Sequence, residues 1–284
     1  MTRKTVLAIL LVCISGIQST QAQTINADNI TSISPEEKAT AVEVRLTGTL
    51  SNGSNGDFRQ LRDLCHNMTT LDLSQARCTD IPKNAFHSRH QLHTLILPLT
   101  LRTIGSQALF ACDHIKEISL PNHLENIGAS AFSMCRNIRH LNITTQSRLA
   151  HIGSYAFKGC QNLRGTITLP HTLYSIDDGA FEGCRRLKRI VLPHSLRTIS
   201  TNTFSKCTSL SRVDIGSNTD SIGPCAFSHC TKLRHITIAN SVPPTIDQSA
   251  FAGTDPSKIT LQVPPSSIEA YRKAPIWKEL KIRQ

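Results

Sequence analysis

The chain has 284 residues, ten of them cysteine, and its formal net charge at pH 7 is +11. This length predicts one or two globular domains unless the sequence is repetitive. No segment is apolar over the roughly 20 residues that a membrane helix requires, so the sequence predicts no membrane-spanning helix. A basic surplus of this size is typical of proteins that bind a polyanion.

The beginning of the chain has the pattern of a secretory signal peptide. Arg3 and Lys4 precede a short apolar run, and a small-x-small cleavage site ends at Ala22. We therefore expect a signal peptide over residues 1–22 and a mature chain from Gln23 that is secreted or held at the cell surface or in the periplasm. Export disfavours nucleic acid and favours acidic glycans, lipid phosphates or acidic proteins as partners, or a charge that serves only solubility.

Residues 23–67 predict one strand and one short helix that cap the front of the structure. Apolar residues alternate with polar ones at Val42, Val44 and Leu46, as in a half-buried strand. Apolar residues then recur every three positions behind Asp57, a suitable helix N-cap, at Phe58, Leu61 and Leu64.

Internal repetition is the strongest signal in the sequence. Eight segments share one pattern, namely IPKNAF, IGSQAL, IGASAF, IGSYAF, IDDGAF, ISTNTF, IGPCAF and IDQSAF. Their last residues follow one another at intervals of 23 to 25, at Phe86, Leu109, Phe132, Phe157, Phe181, Phe204, Phe227 and Phe251. This period is typical of leucine-rich repeats, so residues 68–263 predict a solenoid of about eight units.

Residues 101–121 contain one complete unit. Its Ile115-x-x-Ile118-x-Leu120 stretch is a strand pattern that ends at Pro121, and Gly105 suits a tight turn. Residues 108–112 predict a short helical turn on the opposite side. A single unit leaves much of its apolar surface in water, so the array is stable only when the units stack.

Residues 264–284 are predicted to cap the other end. Pro264 and Pro265 stop the last strand, and Ser266-x-x-Glu269 is a capping-box pattern for a helix. The apolar residues that follow are expected to close the core, at Ile268, Tyr271, Ile276, Trp277 and Leu280.

The repeated pattern Leu-x-x-Ile-Gly-x-x-Ala-Phe-x-x-Cys-x-x-Leu-x-x-Ile-x-Leu-Pro resembles the BspA-type leucine-rich repeat. The resemblance implies an α/β solenoid with parallel strands on one face, short helical turns opposite and a cap at each end. It also implies a bacterial surface or secreted protein, because members of this family are implicated in adhesion to host proteins and to other cells. The family has no shared catalytic residues. The chain departs from the pattern at Leu109, Thr203, Arg89 and Thr254, which affects packing only.

The cysteines follow the repeat. Six of them stand three residues after the Phe or Leu position, at Cys112, Cys135, Cys160, Cys184, Cys207 and Cys230, and Cys65 and Cys78 also occupy core positions. This placement favours free, buried thiols over disulfides between neighbouring repeats. Cys225 lies at a variable position and is a reactive thiol, the site of an intermolecular link or an incidental surface residue.

No catalytic pattern is present in the sequence, so we expect neither enzymatic activity nor a cofactor. The densest histidine group, His87, His90 and His93, has no acidic partner nearby, which disfavours a metal site. Carboxylates on the predicted strands stand singly, without the close pair that glycoside hydrolysis requires.

The outward residues of the stacked strands are the predicted binding surface, because varied residues on a rigid scaffold are where recognition usually occurs. They become basic toward the C-terminal half and form a candidate ligand-binding stripe of Arg139, His140, Lys188, Arg189, Arg212, Arg234, His235 and Lys258. Ordinary solvated strand ends are the alternative interpretation of these residues. Two functions remain open: an adhesin-like binder of extracellular proteins or acidic glycans, and a self-associating structural protein of the cell envelope.

Overall fold

The computed structural model describes residues 24–51 and 56–283, which form one array of stacked repeats. The predicted leucine-rich-repeat solenoid, with parallel strands along one face, is confirmed. The predicted signal peptide over 1–22 lies outside the described residues. Helices in the described part of the chain are short, and none combines the length and apolar composition needed to cross a bilayer.

One face of the solenoid is a parallel sheet, the long sheet. The middle apolar residue of each repeat strand points into the core, as Ile190 and Val213 do. Regular pairing is interrupted after Ile96 and after Asn142. The strands are Thr24–Ala27, Glu43–Leu46, Thr70–Asp72, Thr94–Ile96, Glu117–Ser119, His140–Asn142, Gly165–Thr168, Leu187–Val191, Arg212–Ile215, His235–Ile238, Thr260–Gln262 and Lys281–Arg283.

A second side of each repeat carries a two-residue strand that ends in isoleucine, and these strands form the short ladder. Gly105 follows one of them and permits close stacking, because a Cβ there would stand 2.7 Å from the backbone nitrogen of Lys83. The strands are Asp80–Ile81, Thr103–Ile104, Asn126–Ile127, His151–Ile152, Ser175–Ile176, Thr198–Ile199, Ser221–Ile222 and Thr245–Ile246.

The third side consists of tight turns, and the helical turn predicted at residues 108–112 is wrong in this detail. Gln107 and Ala111 have φ values of 55°, in the left-handed region, so the segment cannot continue as an α-helix. Alternate amides instead bond to the next repeat: Leu109 donates to the Ala131 carbonyl at 2.8 Å, and Ala111 to the Ser133 carbonyl at 2.8 Å. The amides between them, those of Ala108, Phe110 and Cys112, donate to carbonyls three residues back. The bonds to the next repeat make a third ladder, which satisfies backbone groups that a helix would have paired internally.

The core is a continuous column of side chains along the array. Phe132, Phe157, Phe181 and Phe204 are fully buried. Their rings stack with centroid separations of 5.2, 5.2 and 5.7 Å, within the range of favourable aromatic pairs. Leu109 replaces one phenylalanine and ends the stack at the front. Each repeat therefore has both of its apolar faces covered by its neighbours.

The N-terminal cap contains more structure than the sequence predicted. The expected strand and helix are present as Glu43–Leu46 and Asp57–Leu64. A strand at Thr24–Ala27, a 3-10 turn at Ile30–Ser32 and a helix at Pro35–Thr40 precede them.

Asp57 does not act as the predicted N-cap, because Gly56 holds that position and Asp57 begins the helix. The buried Asp57 carboxylate accepts hydrogen bonds from the Ile30 amide at 3.0 Å and the Ser51 amide at 2.7 Å, which ties two parts of the cap together. The sequence pattern places Leu64 on the buried side of this helix, but the residue is 38% exposed.

The C-terminal cap closes the core through Tyr271, Trp277 and Leu280, as predicted. The prediction of a capping box is wrong. A 3-10 turn occupies Pro265–Ser267, and the helix begins after it and spans Ile268–Lys273 without a side-chain cap. A second 3-10 turn follows at Trp277–Glu279, and the last strand completes the sheet. The indole N–H of Trp277 donates to the Pro244 carbonyl at 2.8 Å, which fixes the cap on the last repeat.

Candidate binding surface

Strand pairing places the outward residues of the long sheet in rows that run along the solenoid. The first row contains the residue just before the middle apolar residue of each strand from Thr70 onward, namely Thr70, Thr94, Glu117, His140, Thr166, Arg189, Arg212, His235, Thr260 and Lys281. The middle row lies two residues further on, at Asp72, Ile96, Ser119, Asn142, Thr168, Val191, Asp214, Thr237 and Gln262. Different side chains in successive repeats give the surface its chemical variety.

Lys258 is not an outward residue of a strand, so the sequence-based placement of this residue beside His235 is wrong. His235 pairs with Thr260, and Lys258 ends the preceding 3-10 turn at Pro256–Lys258. Its Nζ atom lies 3.1 Å from the Asp255 carboxylate. The extra turn shifts the register of the last repeat, which a constant spacing of 23 residues cannot reveal.

Arg189 and Arg212 share one carboxylate in the middle row. Their Nε atoms lie 2.7 and 3.0 Å from the two oxygens of Asp214. The three side chains together carry one net positive charge, and both guanidinium groups are held against the sheet. These two arginines therefore present less free charge than their sequence positions indicate.

A similar ion pair stands near the front of the long sheet. Arg45 Nε lies 3.0 Å from Asp72, whose carboxylate also accepts the Ser74 amide at 2.9 Å. Burial works to raise the pKa of Asp72, but the hydrogen bonds from Ser74 and the contacts with Arg45 outweigh it and hold the pKa below its usual value. Asp72 is therefore a structural carboxylate.

The free basic charge lies on the edge where the chain enters each strand of the long sheet. Four residues after each core cysteine from Cys112 to Cys230, successive repeats carry the edge row, defined as Lys116, Arg139, Arg164, Lys188, Ser211 and Arg234. Each directly precedes a first-row residue, except that Gly165 separates Arg164 from Thr166, where the strand register shifts. Backbone bonds join its neighbours: Arg139 donates to the Lys116 carbonyl at 2.7 Å, and Arg164 to the Arg139 carbonyl at 3.0 Å. The basic residues of the edge row are exposed.

More basic residues stand beside the edge row, on the turn that precedes each strand. They are exposed, and the sequence-based stripe did not include them: Arg136, Arg185, Arg186 and Lys232. Together with the basic residues of the edge row they form the basic edge. Within residues 24–51 and 56–283, no side chain of the basic edge takes part in an ion pair.

The histidines of the predicted stripe differ in their surroundings. His235 is exposed in the first row, whereas His140 is half-buried. The Nε atom of Arg164 lies 3.5 Å from Nε2 of His140, so the edge row and the first row meet at this point. Arg234 Nη1 donates to the carbonyls of Thr231 at 3.1 Å and Leu233 at 2.7 Å, which fixes its direction.

Several basic residues elsewhere on the repeats form ion pairs with acids one repeat away. Along the short ladder, Arg102 lies 2.7 Å from Glu125 and Arg197 lies 2.9 Å from Asp220. On the turns, Lys158 and Lys206 both pair with Glu182. Stacking of like charges without acids is thus a property of the basic edge and not of the whole surface.

The front end of the basic edge borders an open groove of about 370 Å³. His93 and His114 form one wall with ring centroids 4.9 Å apart, and Lys116 and Arg139 line it together with Glu117. The carboxylate of Glu117 lowers the positive charge at this end. The basic edge is therefore strongest from Arg139 onward.

The predicted histidine group does not converge on a point. His87 stacks on Phe110 at 4.8 Å, and His90 lies 3.8 Å from Asp113. His93 faces His114 in the groove. In the part of the chain that the structure describes, no group of three or more His, Cys, Asp or Glu side chains is placed to hold a metal ion.

Comparison with known proteins agrees with the repeat geometry. A sequence model of the BspA-type leucine-rich repeat region, built from six copies, matches residues 63–166 and 150–272. The chain belongs to the BspA-type leucine-rich repeat family. No curated protein matches this family member.

Solved structures share the fold of this BspA-type chain. A leucine-rich repeat protein from Bacteroides ovatus superimposes with a TM-score of 0.62 at 23% identity, covering 79% of this chain and 55% of the other. The Treponema pallidum leucine-rich repeat protein TpLRR gives a TM-score of 0.52 at 26% identity, covering 57% of this chain and 74% of the other. The chain thus spans just over half the length of the Bacteroides protein.

The cysteines of this BspA-type array are free thiols in the described residues. The buried Cys112 and Cys135 donate to backbone carbonyls of the preceding repeat, Phe86 at 3.0 Å and Leu109 at 2.9 Å. Burial raises the pKa of the Cys112 thiol to about 12, because the apolar core disfavours the thiolate. Cys225 is half-buried, at a left-handed position of the turn.

These environments predict very unequal thiol reactivity. With a small alkylating reagent near neutral pH, Cys225 is expected to react at least about tenfold faster than Cys112 or Cys160, because alkylation needs an accessible thiolate. Peptide mass spectrometry after timed labelling measures the rates, and labelling in denaturant provides the control in which all thiols react. Equal native rates would contradict the closed core.

Proposed function

We propose that this protein is an exported, non-catalytic binding scaffold that acts as an adhesin, recognising host or cell-surface proteins or acidic glycans. The observation that carries the proposal is the contrast between a constant core and a varied outer surface. Positions equivalent to Ile190 are apolar in every repeat, whereas the rows beside them change from Glu117 to His140 to Arg189.

Rigidity supports this role. Hydrogen-bonded ladders on three sides of the solenoid join successive repeats, so the outward side chains are presented at fixed spacing and a partner meets a preorganised surface. Membership of the BspA-type family agrees with binding, because leucine-rich repeats generally bind proteins. The predicted signal peptide supports export.

Self-association in the cell envelope is the second candidate function. It is favoured by Ile96 and Leu99, which are 43% and 73% exposed beside Pro98 and Leu97 near the front of the long sheet. An exposed apolar patch on a soluble surface commonly marks a contact with another protein.

The two functions can be separated by one set of measurements. Purified protein is applied to an array of extracellular-matrix proteins and acidic glycans at low and moderate salt, and its oligomeric state is followed by sizing. Saturable binding by a monomer is expected. If the protein binds nothing on the array and forms oligomers in a concentration-dependent way, the assembly function is supported instead of adhesion.

A further inference from the structure

We propose that the basic edge binds a linear sulfated glycan laid along the solenoid axis. This inference rests on the proposed function, since it requires an exported binding scaffold, and it names the ligand class and the residues. The site differs from the stripe predicted by sequence, because its centre is Arg139, Arg164 and Lys188 instead of Arg189 and Arg212.

The geometry of the edge row matches an extended ligand. Adjacent strands of a sheet lie about 4.8 Å apart, so the row from Lys116 to Arg234 spans roughly 24 Å along the solenoid. Arg139 and Arg164 are joined by a backbone hydrogen bond of 3.0 Å, which fixes their spacing. Ser211 leaves one gap in the charge, opposite the Arg212–Asp214 pair. A chain with repeating anionic groups can contact several repeats at once.

The unpaired positive charge of the edge row also favours an anionic ligand. Like charges on neighbouring strands repel each other and destabilise the fold, as cross-strand pairs in sheets do. The short ladder avoids this cost by pairing Arg102 with Glu125 across one repeat, whereas Arg139, Arg164 and Lys188 occupy successive repeats and form no ion pair in the described part of the chain. An anionic ligand would remove this repulsion on binding, and guanidinium groups suit the oxygens of a sulfate through paired hydrogen bonds.

The composition of the edge argues against nucleic acid, the other abundant polyanion. Single strands are usually held by aromatic side chains that stack on the bases, and duplexes are read by a helix or ribbon in a groove. No Phe, Tyr or Trp stands between each core cysteine and its edge-row residue, at positions 112–116, 135–139, 160–164, 184–188, 207–211 and 230–234. The described residues 136–234 form strands and turns only. Contacts to sulfate groups need neither feature.

The test compares two triple variants that remove the same amount of charge. Arg139→Gln/Arg164→Gln/Lys188→Gln deletes unpaired bases of the edge row, and Arg102→Gln/Arg197→Gln/Lys206→Gln deletes bases held in ion pairs. Binding of a heparin dodecasaccharide is measured by calorimetry across a salt series, and thermal melting verifies that each variant folds.

Wild type and the ion-pair variant are expected to bind alike, within about twofold, because the removed bases lie off the site. The edge variant is expected to lose about tenfold or more in affinity, and the slope of log K against log salt should fall by about two. Fully desulfated heparin should bind at least about tenfold more weakly than the sulfated chain.

Three results would overturn the proposal: equal losses in both triple variants, no binding of the sulfated dodecasaccharide to wild type, or tighter binding of a single-stranded DNA 12-mer. Failure here remains distinguishable from failure of the adhesin proposal. If the wild-type protein does not bind heparin but still binds a matrix protein on the array, the glycan site alone is refuted.

Discussion

Replacing Phe181 with alanine is expected to lower the free energy of unfolding by about 3–5 kcal/mol. Its side chain is fully buried, and its ring stacks between Phe157 at 5.2 Å and Phe204 at 5.7 Å. Removal creates a cavity in the middle of the array, where rigid neighbours on both sides limit collapse. Denaturant unfolding followed by circular dichroism measures the loss.

The matched control is Phe181→Leu. The chain itself places leucine at the equivalent position, Leu109, which is fully buried in its repeat. Because much of the volume is kept, this variant should cost clearly less than the alanine variant, about 1–2 kcal/mol. Similar losses for alanine and leucine would mean that ring stacking, and not filled volume, dominates the core.

Replacing Trp277 with alanine is expected to cost about 3–5 kcal/mol and to loosen the C-terminal end of the array first. Trp277 is buried, packs edge-to-face on Tyr271 at 5.8 Å and bonds to the Pro244 carbonyl. Without it the last repeat exposes an apolar face. Amide hydrogen exchange should therefore accelerate around Ile259 and Leu261 well before Ile118.

Trp277→Phe separates packing from hydrogen bonding. A phenylalanine keeps most of the ring contact with Tyr271 but leaves the Pro244 carbonyl without its donor, so a loss of about 1–2 kcal/mol is expected. Exchange rates that rise uniformly along the whole chain in the alanine variant would argue against local opening from the cap.

Repetition made the fold predictable. The interval from Phe132 to Phe251 identified the solenoid, and the alternation around Val44 and the apolar residues after Pro265 identified caps, because periodic burial is encoded locally. The geometry of the turns was harder to predict from the sequence. Residues 108–112 have an apolar spacing that suits a helix, and only the bonds from Leu109 to the next repeat decide against it, which is information about stacking.

The candidate site was predicted only in part, because charge pairing depends on neighbours 23 to 25 residues away. Arg189 and Arg139 are both basic residues at strand starts, yet only Arg189 has an acid within reach, Asp214 of the next repeat at 2.7 Å. Lys258 was misplaced by one short turn. Arg164 and Arg186 could have been found by aligning the residues after each core cysteine.

The three ladders between repeats also have a mechanical consequence. Their hydrogen bonds, such as those between Arg139 and Lys116 and between Leu109 and Ala131, run along the solenoid axis. A pulling force between the two ends therefore loads the interfaces in series, and the weakest one yields first. Each repeat that peels away would release 23 to 25 residues of chain, or about 80 Å of length, so the molecule can extend under tension while its remaining repeats stay folded.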